Sequence, residues 1–265
     1  MITEITARSQ IDEAMLRQCH YGRKMLSLLD GYGIGYDFCR FFLLSGGEKT
    51  AVLMLQNSTL LVSSCYDFTH DTDAHSELAM FIKMHLPFRV EGCQSLVYRM
   101  TLSGYQTLRR SIFGLKSRQT PPNIDISQIN DNPRLDDVYS ILTEGFPNLI
   151  AYDLWLTDTS HMVRRGLRKC YTYRGLTAAT AVYDYDDHVL IGQVATKTAA
   201  RGKGLARDLL RYIADDMQKQ HKQAILYALD IRASFYHEIG FPLLATEYVW
   251  ERLDAEPNAK LKEAL

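Results

Sequence analysis

The stretch Val194-Ala-Thr-Lys-Thr-Ala-Ala-Arg-Gly-Lys-Gly-Leu-Ala206 constrains this chain more than any other. Before it, Val189-Leu-Ile-Gly-Gln-Val194 reads as a buried strand. After it, Leu205, Leu209, Ile213 and Met217 recur every four residues, with Ala206, Leu210 and Ala214 alongside. Arg207, Asp208, Arg211, Asp215 and Lys219 fall on the opposite face, which predicts an amphipathic helix. The first turn of such a helix has no intrahelical acceptors for its N–H groups. Gly202 and Gly204 leave that backbone bare, and the helix N-terminus adds about half a positive charge. Strand, glycine loop and helix together predict a cradle for a diphosphate.

The spacing narrows the ligand. A dinucleotide fingerprint needs G-x-G-x-x-G, and a P-loop needs G-x-x-x-x-G-K-[ST]. Neither is present, because Gly202-Lys-Gly204 runs on into Leu205-Ala206. The motif that stands here is Arg-x-x-Gly-x-Ala, from Arg201 through Gly204 to Ala206. A second segment lies downstream, Asp230-Ile-Arg-Ala-Ser-Phe-Tyr-His-Glu-Ile-Gly-Phe241. The first resembles the acyl-CoA pyrophosphate motif Gln/Arg-x-x-Gly-x-Gly/Ala of the GNAT superfamily of N-acetyltransferases. The second resembles that family's Asn-x-x-Ala-x-x-Phe-Tyr-x-x-x-Gly-Phe segment. On these two motifs the chain is identified as a GNAT member, the resemblance covering about residues 123 to 253.

The resemblance implies an α+β fold, a mixed sheet flanked by helices, and acyl transfer from acetyl-CoA to a primary amine. It implies that the backbone of Val194, Ala195 and Thr196 pairs with pantetheine as an added strand. It places the diphosphate on Arg201, Gly202, Lys203, Gly204, Leu205 and Ala206, with the Arg201 and Lys203 side chains adding charge. Tyr236 falls on the family tyrosine that reaches the CoA sulfur, and a phenol with a reference pKa of about 10 is a neutral donor at pH 7. Ala233 matches the second motif. Asp230 stands where many relatives carry Asn; it lacks the amide donor, so helix capping is an equal alternative to cofactor contact.

The general base is less defined. His188 opens the strand near where some relatives place a catalytic glutamate, and its ordinary pKa of about 6.5 suits proton removal. A solvated hairpin histidine is the competing role, and Asp158, His161 and Glu144 are rivals. Tyr171, Tyr173, Tyr183 and Tyr185 alternate on two predicted strands, either lining an acceptor pocket or forming an aromatic sheet face. Asp184, Asp186 and Asp187 read as an acidic hairpin turn or an attractor for a cationic amine.

Global charge gives no further partner. With 30 basic and 31 acidic residues in 265, nothing favours nucleic acid or an anionic membrane. No apolar run approaches the ~18 residues of a membrane span, and Met-Ile-Thr-Glu-Ile-Thr lacks the regions of a signal peptide. Five scattered cysteines without C-x-x-C argue against structural zinc and a disulfide framework. The expectation is a cytoplasmic protein without metal.

Upstream, Asp12 is expected to cap a helix carrying Ala14, Met15, Cys19, Met25, Leu28 and Leu29, ended by Gly31-Tyr-Gly-Ile-Gly35. Strands are expected over 38–44, 51–55 and 60–64, then a helix over 72–85, a strand over 89–91 and a short helix over 95–102. This order parallels the second half: helices and strands over 124–183, the loop strand and helix, a strand over 224–229, a helix over 232–239 and two closing strands over 243–251. The first half therefore reads as a degenerate copy, residues 1–120, ahead of a catalytic domain, 121–265. The polar segment Gly114-Leu-Lys-Ser-Arg-Gln-Thr-Pro-Pro-Asn123 would link them. At the place of the cradle the first copy has Asp67, Asp71 and Asp73, which would repel a diphosphate. His70 and His75 with those aspartates read either as metal ligands or as a solvated, capped helix start. The first half would shape the acceptor site or a homodimer interface. A competing class is a CoA-binding sensor or interaction protein without turnover.

Overall fold

The structure, a computed structural model, describes residues 1–98, 100–116 and 124–253. The proposed linker therefore lies outside the described residues from 117 to 123, and the charged tail lies outside them from 254 onward. In chain order the strands and α-helices are β1 (Ile2–Glu4), α1 (Glu13–Leu16), α2 (His20–Tyr32), β2 (Cys39–Gly46), β3 (Lys49–Gln56), β4 (Thr59–Ser63), α3 (Thr72–His85), β5 (Arg89–Gly92), α4 (Gln94–Val97) and β6 (Tyr105–Gly114). The second half adds β7 (Ile129–Asn130), α5 (Leu135–Gly145), α6 (Tyr152–Arg164), β8 (Lys169–Tyr173), β9 (Thr177–Tyr185), β10 (His188–Thr196), α7 (Leu205–Lys219), β11 (Gln223–Leu229), α8 (Asp230–Glu238) and β12 (Leu243–Arg252).

Two compact units emerge. One is Met1–Arg110 with the chain from Glu247 onward, and the other is Ser111–Thr246. In the first unit β2, β3 and β4 run antiparallel, α3 crosses over, and β5 returns parallel to β4. The second unit repeats that plan: β8, β9 and β10 are antiparallel, α7 crosses over, and β11 returns parallel to β10. A short helix and a long strand follow in each case. The element order of the first unit thus parallels that of the second.

Local chemistry explains the elements. The β3–β4 hairpin turns at Asn57, which adopts the left-handed conformation that Asn tolerates better than other side chains. Asp71 caps α3 by accepting the Ala74 N–H at 2.9 Å. Gly33, with φ +75°, ends α2 and donates to Leu29 O. Phe42, Leu53, Leu60, Val62, Phe81 and Trp250 belong to one buried cluster of the first unit. In the second, α7 lays Leu209, Leu210, Ile213 and Met217 against Tyr171, Ala179, Ile191 and Leu226. Each fully buried aliphatic side chain of this kind contributes roughly 1.5–3 kcal/mol.

Four expectations are corrected. The helix expected from Asp12 to Leu29 is two helices, because Cys19 is extended and starts α2, its sulfur accepting the Gly22 N–H. Gly22 makes that break possible: a Cβ there would lie 2.0 Å from Leu16 O. The two closing strands are one continuous β12, for no turn-forming residue interrupts it. Its Leu243–Thr246 portion belongs to the second unit, while in the first Trp250 pairs with Val90 and Glu251 with Arg89. The strands β1 and β6 were not expected. From Ser111 on, β6 belongs to the second unit, where Gly114 N–H donates to Pro242 O and Leu115 N–H to Ala224 O. The entry into the second half, expected as a strand from Ile124, is a single helical turn, Ile126–Gln128, followed by the two-residue β7.

Candidate active site

The loop after β10 has the strand–glycine–helix form read from the sequence. After β10 a single turn, Thr198–Ala200, leads to extended Arg201, then to Gly202 and Gly204 at φ +74° and +77°. A side chain in that left-handed region costs roughly 1–2 kcal/mol, so glycine is what this loop requires. No side chain caps α7, and its first return bond runs from Asp208 N to Gly204 O. The N–H groups of Leu205, Ala206 and Arg207 therefore have no intrahelical acceptor. Arg201, Gly202 and Lys203 are exposed, while Leu205 is buried and anchors the helix start.

Beside this loop the sheet is unzipped. The β10–β11 ladder runs from His188↔Gln223 to Ile191↔Leu226 and stops there, although both strands continue. A bulge between Gly192 and Ala195, with Gln193 at φ +49°, turns β10 away. The other edge of β10 stays bound to β9 through Ala195↔Ala178 and Thr196↔Thr177, and the two threonine hydroxyls lie 2.9 Å apart. Among the described residues, the β11-side edge of Val194, Ala195 and Thr196 thus has no strand partner. The first unit differs at the corresponding place. There β4 and β5 pair as far as Val62↔Gly92, and Cys93 N–H still donates to Val62 O at 2.9 Å. A Cβ on Gly92 would lie 2.0 Å from Val62 O, so the two strands are pressed shut.

Residues 137–241 match the model of the Acetyltransferase (GNAT) family. A GNAT-family acetyltransferase domain occupies this segment. Solved structures share the fold along nearly the whole chain. A GNAT-family acetyltransferase from Colwellia psychrerythraea is 13% identical, with 96% of this chain and 100% of that chain covered at a TM-score of 0.55. A structure described as that of an acetyltransferase from Pyrococcus horikoshii is 9% identical, with 97% and 90% covered and a TM-score of 0.61. A GCN5-related N-acetyltransferase from Sphaerobacter thermophilus is 18% identical, with 85% and 84% covered and a TM-score of 0.57. At these identities the likeness concerns fold. No curated protein matches the sequence.

Within the acetyltransferase domain the sequence-predicted residues separate into groups. Gly202, Lys203, Gly204, Leu205 and Ala206 surround the α7 N-terminus, with Val194, Ala195 and Thr196 on the adjoining open edge. The Arg201 side chain does something else: Nε donates to Thr196 O at 3.2 Å and Nη2 to Glu144 O at 2.5 Å. Tyr236 lies on α8, half-buried, its ring 5.4 Å from Phe113 and 5.1 Å from Phe235. Burial raises its pKa against the opposing charge of Arg232, which keeps the phenol protonated. Asp230 is the first residue of α8, and Leu229 before it holds the N-cap position. A carboxylate at Asp230 favours the helix dipole there. Ala233 packs against the α7 core.

The base candidates all have partners. His188 sits at the closed end of β10, opposite Gln223, with Nδ1 2.5 Å from Asp187 Oδ1. Eight residues of strand, roughly 25 Å, separate it from Thr196. Asp158 accepts from Arg168 at 2.6 Å, and His161 Nε2 accepts from Arg165 at 3.1 Å. Glu144 Oε2 accepts the Thr198 N–H at 2.6 Å, a bond that holds its carboxyl below the usual range.

The four tyrosines do not form one pocket wall. Tyr171 and Tyr173 are buried in the α7 core, whereas Tyr183 pairs with Leu190 beyond a bulge at Val182. The acidic turn is structural: both Asp184 oxygens accept from Lys222 at 2.7 Å, and Asp186 occupies the turn at φ +51°. In the first unit, Asp67 accepts from Thr69, Asp71 caps α3, and His75 Nε2 lies 2.8 Å from Ser95 O. Among the described residues no three His, Cys, Asp or Glu side chains gather as a metal-holding group. No helix among them is long and apolar enough to cross a membrane.

Sequence reasoning missed Gly145 and Gly192. A Cβ on Gly145 would lie 2.7 Å from Ala195 Cβ, and one on Gly192 would lie 2.8 Å from a methyl of Val182. Gly145 ends α5 and faces a small residue, whereas Gly192 sits in mid-strand against Val182, where glycine in a β pattern marks a bulge.

Proposed function

We propose that the protein is an acetyl-CoA-dependent N-acetyltransferase whose acceptor is a primary amine on a small molecule or a peptide. The observation that carries this reading is the uncapped α7 N-terminus beside the unzipped β10–β11 edge, inside a GNAT domain. The residues fit the coenzyme. Main-chain N–H groups from Gly202 to Arg207 would hold its diphosphate, and the edge of Val194–Thr196 turned away from β9 would pair with its pantetheine amides. When bound, acetyl-CoA supplies a thioester carbonyl open to attack by an amine. Tyr236 Oη holds the proton that the departing thiol requires, in a form that burial keeps neutral.

The test is isothermal titration with CoA and acetyl-CoA, followed by thiol release against a panel of amines. Tyr236→Phe should lower kcat roughly 100-fold, at the low end of general acid–base contributions, without changing affinity for CoA. A full rate in that variant would remove Tyr236 as the acid. Because its pKa is raised, the wild-type rate should show no alkaline loss from this group below about pH 10.

A second reading, a CoA-binding sensor without turnover, has one observation in its favour. His188, Asp158, His161 and Glu144 all have partners within the chain, so an enzyme would rely on solvent as the base. Saturable CoA binding with no thiol release on any amine would select it.

A further inference from the structure

Glu144 is an exposed carboxylate at the end of a helix, and as such it resembles a base without a defined substrate. Its contacts point to another role. Oε2 accepts the Thr198 main-chain N–H at 2.6 Å, in the turn that begins the cradle loop. Its own carbonyl accepts Arg201 Nη2 at 2.5 Å, and the same guanidinium reaches Thr196 O through Nε at 3.2 Å. Arg201 thus ties the last turn of α5 to both ends of the segment 196–201. Next to this link, Gly145 fits so closely on Ala195 that a Cβ would lie 2.7 Å from the alanine methyl. The helix is itself fixed from below, for Val138, Ile141 and Leu142 share a buried cluster with Ala178 and Ala195.

We infer that Glu144 and Arg201 are positioning residues for coenzyme binding: a latch from α5 that presets the 198–201 turn, so that the N–H groups after it converge before the diphosphate arrives. This rests on the reading of residues 202–207 as the diphosphate cradle. The physical basis is preorganisation. A loop already held in its bound conformation loses less entropy on binding, and a hydrogen bond to a charged acceptor is worth roughly twice a neutral one. Arg201 acts here through main-chain carbonyls. The chemistry also separates latch from base. A glutamine at 144 keeps the acceptor oxygen for Thr198 N–H, whereas a base needs the carboxylate.

The test compares Glu144→Ala and Glu144→Gln with the wild type by CoA titration, by kcat and KM for acetyl-CoA, and by hydrogen exchange at the Thr198 amide without ligand. The alanine variant should bind CoA about tenfold more weakly, with the loss in KM, and exchange its Thr198 amide faster. The glutamine variant should stay within about threefold of wild type in both kinetic constants, with an unchanged pH profile. If wild type does not bind CoA, the cradle reading fails and takes the latch with it. If wild type binds and Glu144→Ala binds equally well with Thr198 still protected, the latch alone is overturned. A Glu144→Gln protein that binds CoA normally but loses turnover would also overturn it, assigning Glu144 as base.

Discussion

Replacing Gly204 with glutamate will abolish CoA binding while leaving the protein folded. Gly204 precedes α7 at φ +77°, and an added Cβ would meet only the end of the Arg207 side chain, 2.6 Å away. That group is flexible and can move. The backbone strain costs roughly 1–2 kcal/mol, partly offset because a carboxylate at a helix N-terminus gains about 0.3–1 kcal/mol. The midpoint of thermal unfolding should therefore fall by no more than about 7 °C. Binding is affected far more, since the new carboxylate occupies the place of the diphosphate. One unit of like charge at about 4 Å costs roughly 4 kcal/mol at the effective dielectric of a protein surface, close to a thousandfold in affinity. Gly204→Ala carries the strain without the charge and should lose far less. Calorimetric titration of both variants decides the matter, and wild-type affinity in the glutamate protein would contradict the cradle.

Arg110→Ala should cost the first unit about 3–5 kcal/mol, the usual loss when one partner of a buried ion cluster is removed. Arg110 is 6% exposed, and around it stand Glu91, Glu247 and Tyr21 at 2%, 3% and 3%. Its guanidinium donates to Glu91 at 2.6 Å, to Glu247 at 2.7 Å and to the Tyr21 hydroxyl at 2.8 Å. Lys24 donates to the other Glu91 oxygen at 2.9 Å, and His20 Nε2 lies 3.7 Å from Glu247. Removing the arginine leaves two carboxylates in the core, and the remaining cations do not replace its three bonds. Trp155 and Trp250 are the two tryptophans, one in each unit. Denaturation followed through Trp250 in a Trp155→Phe background therefore reports on the first unit. A loss under about 1 kcal/mol would show that the cluster adds little.

The same cluster sets an acid limit. Burial alone would raise the Glu91 carboxyl, but Lys24, Arg110 and Arg89 outweigh it and hold it well below the usual range. Glu247 behaves alike, burial being outweighed by His20, Arg110 and Tyr21. A carboxyl depressed in the folded state gives stability that is complete above its unfolded pKa of about 4.3. That stability is lost as pH falls from there toward the folded value. Unfolding of the first unit should begin below about pH 4.5 and should depend less steeply on acid in Arg110→Ala.

This cluster also explains what the sequence hid. The loop and α7 were readable because helical periodicity, glycine and a basic residue coincide within a few positions. Strand β6 was not, since Arg109-Arg110 breaks its apolar run, and only three-dimensional partners reveal that Arg110 points inward. The unzipping of β10 from β11 likewise depends on Gln193 taking a left-handed conformation, which no local pattern announces. His188 was placed by its chain position, which is the first residue of β10 while Thr196 is the last. Tyr183 left the tyrosine face because a one-residue bulge reverses side-chain alternation. Glu144 was visible as a carboxylate, yet its partner lies 54 residues away.

Strands β6 and β12 carry a genealogical consequence. Phe113 and Leu115, encoded in the first half of the gene, lie in the core that surrounds α7, while Trp250, from the last strand, is buried among Phe42 and Val62. A gene severed near codon 120 would deprive each product of part of its interior, and neither would be a transferable module.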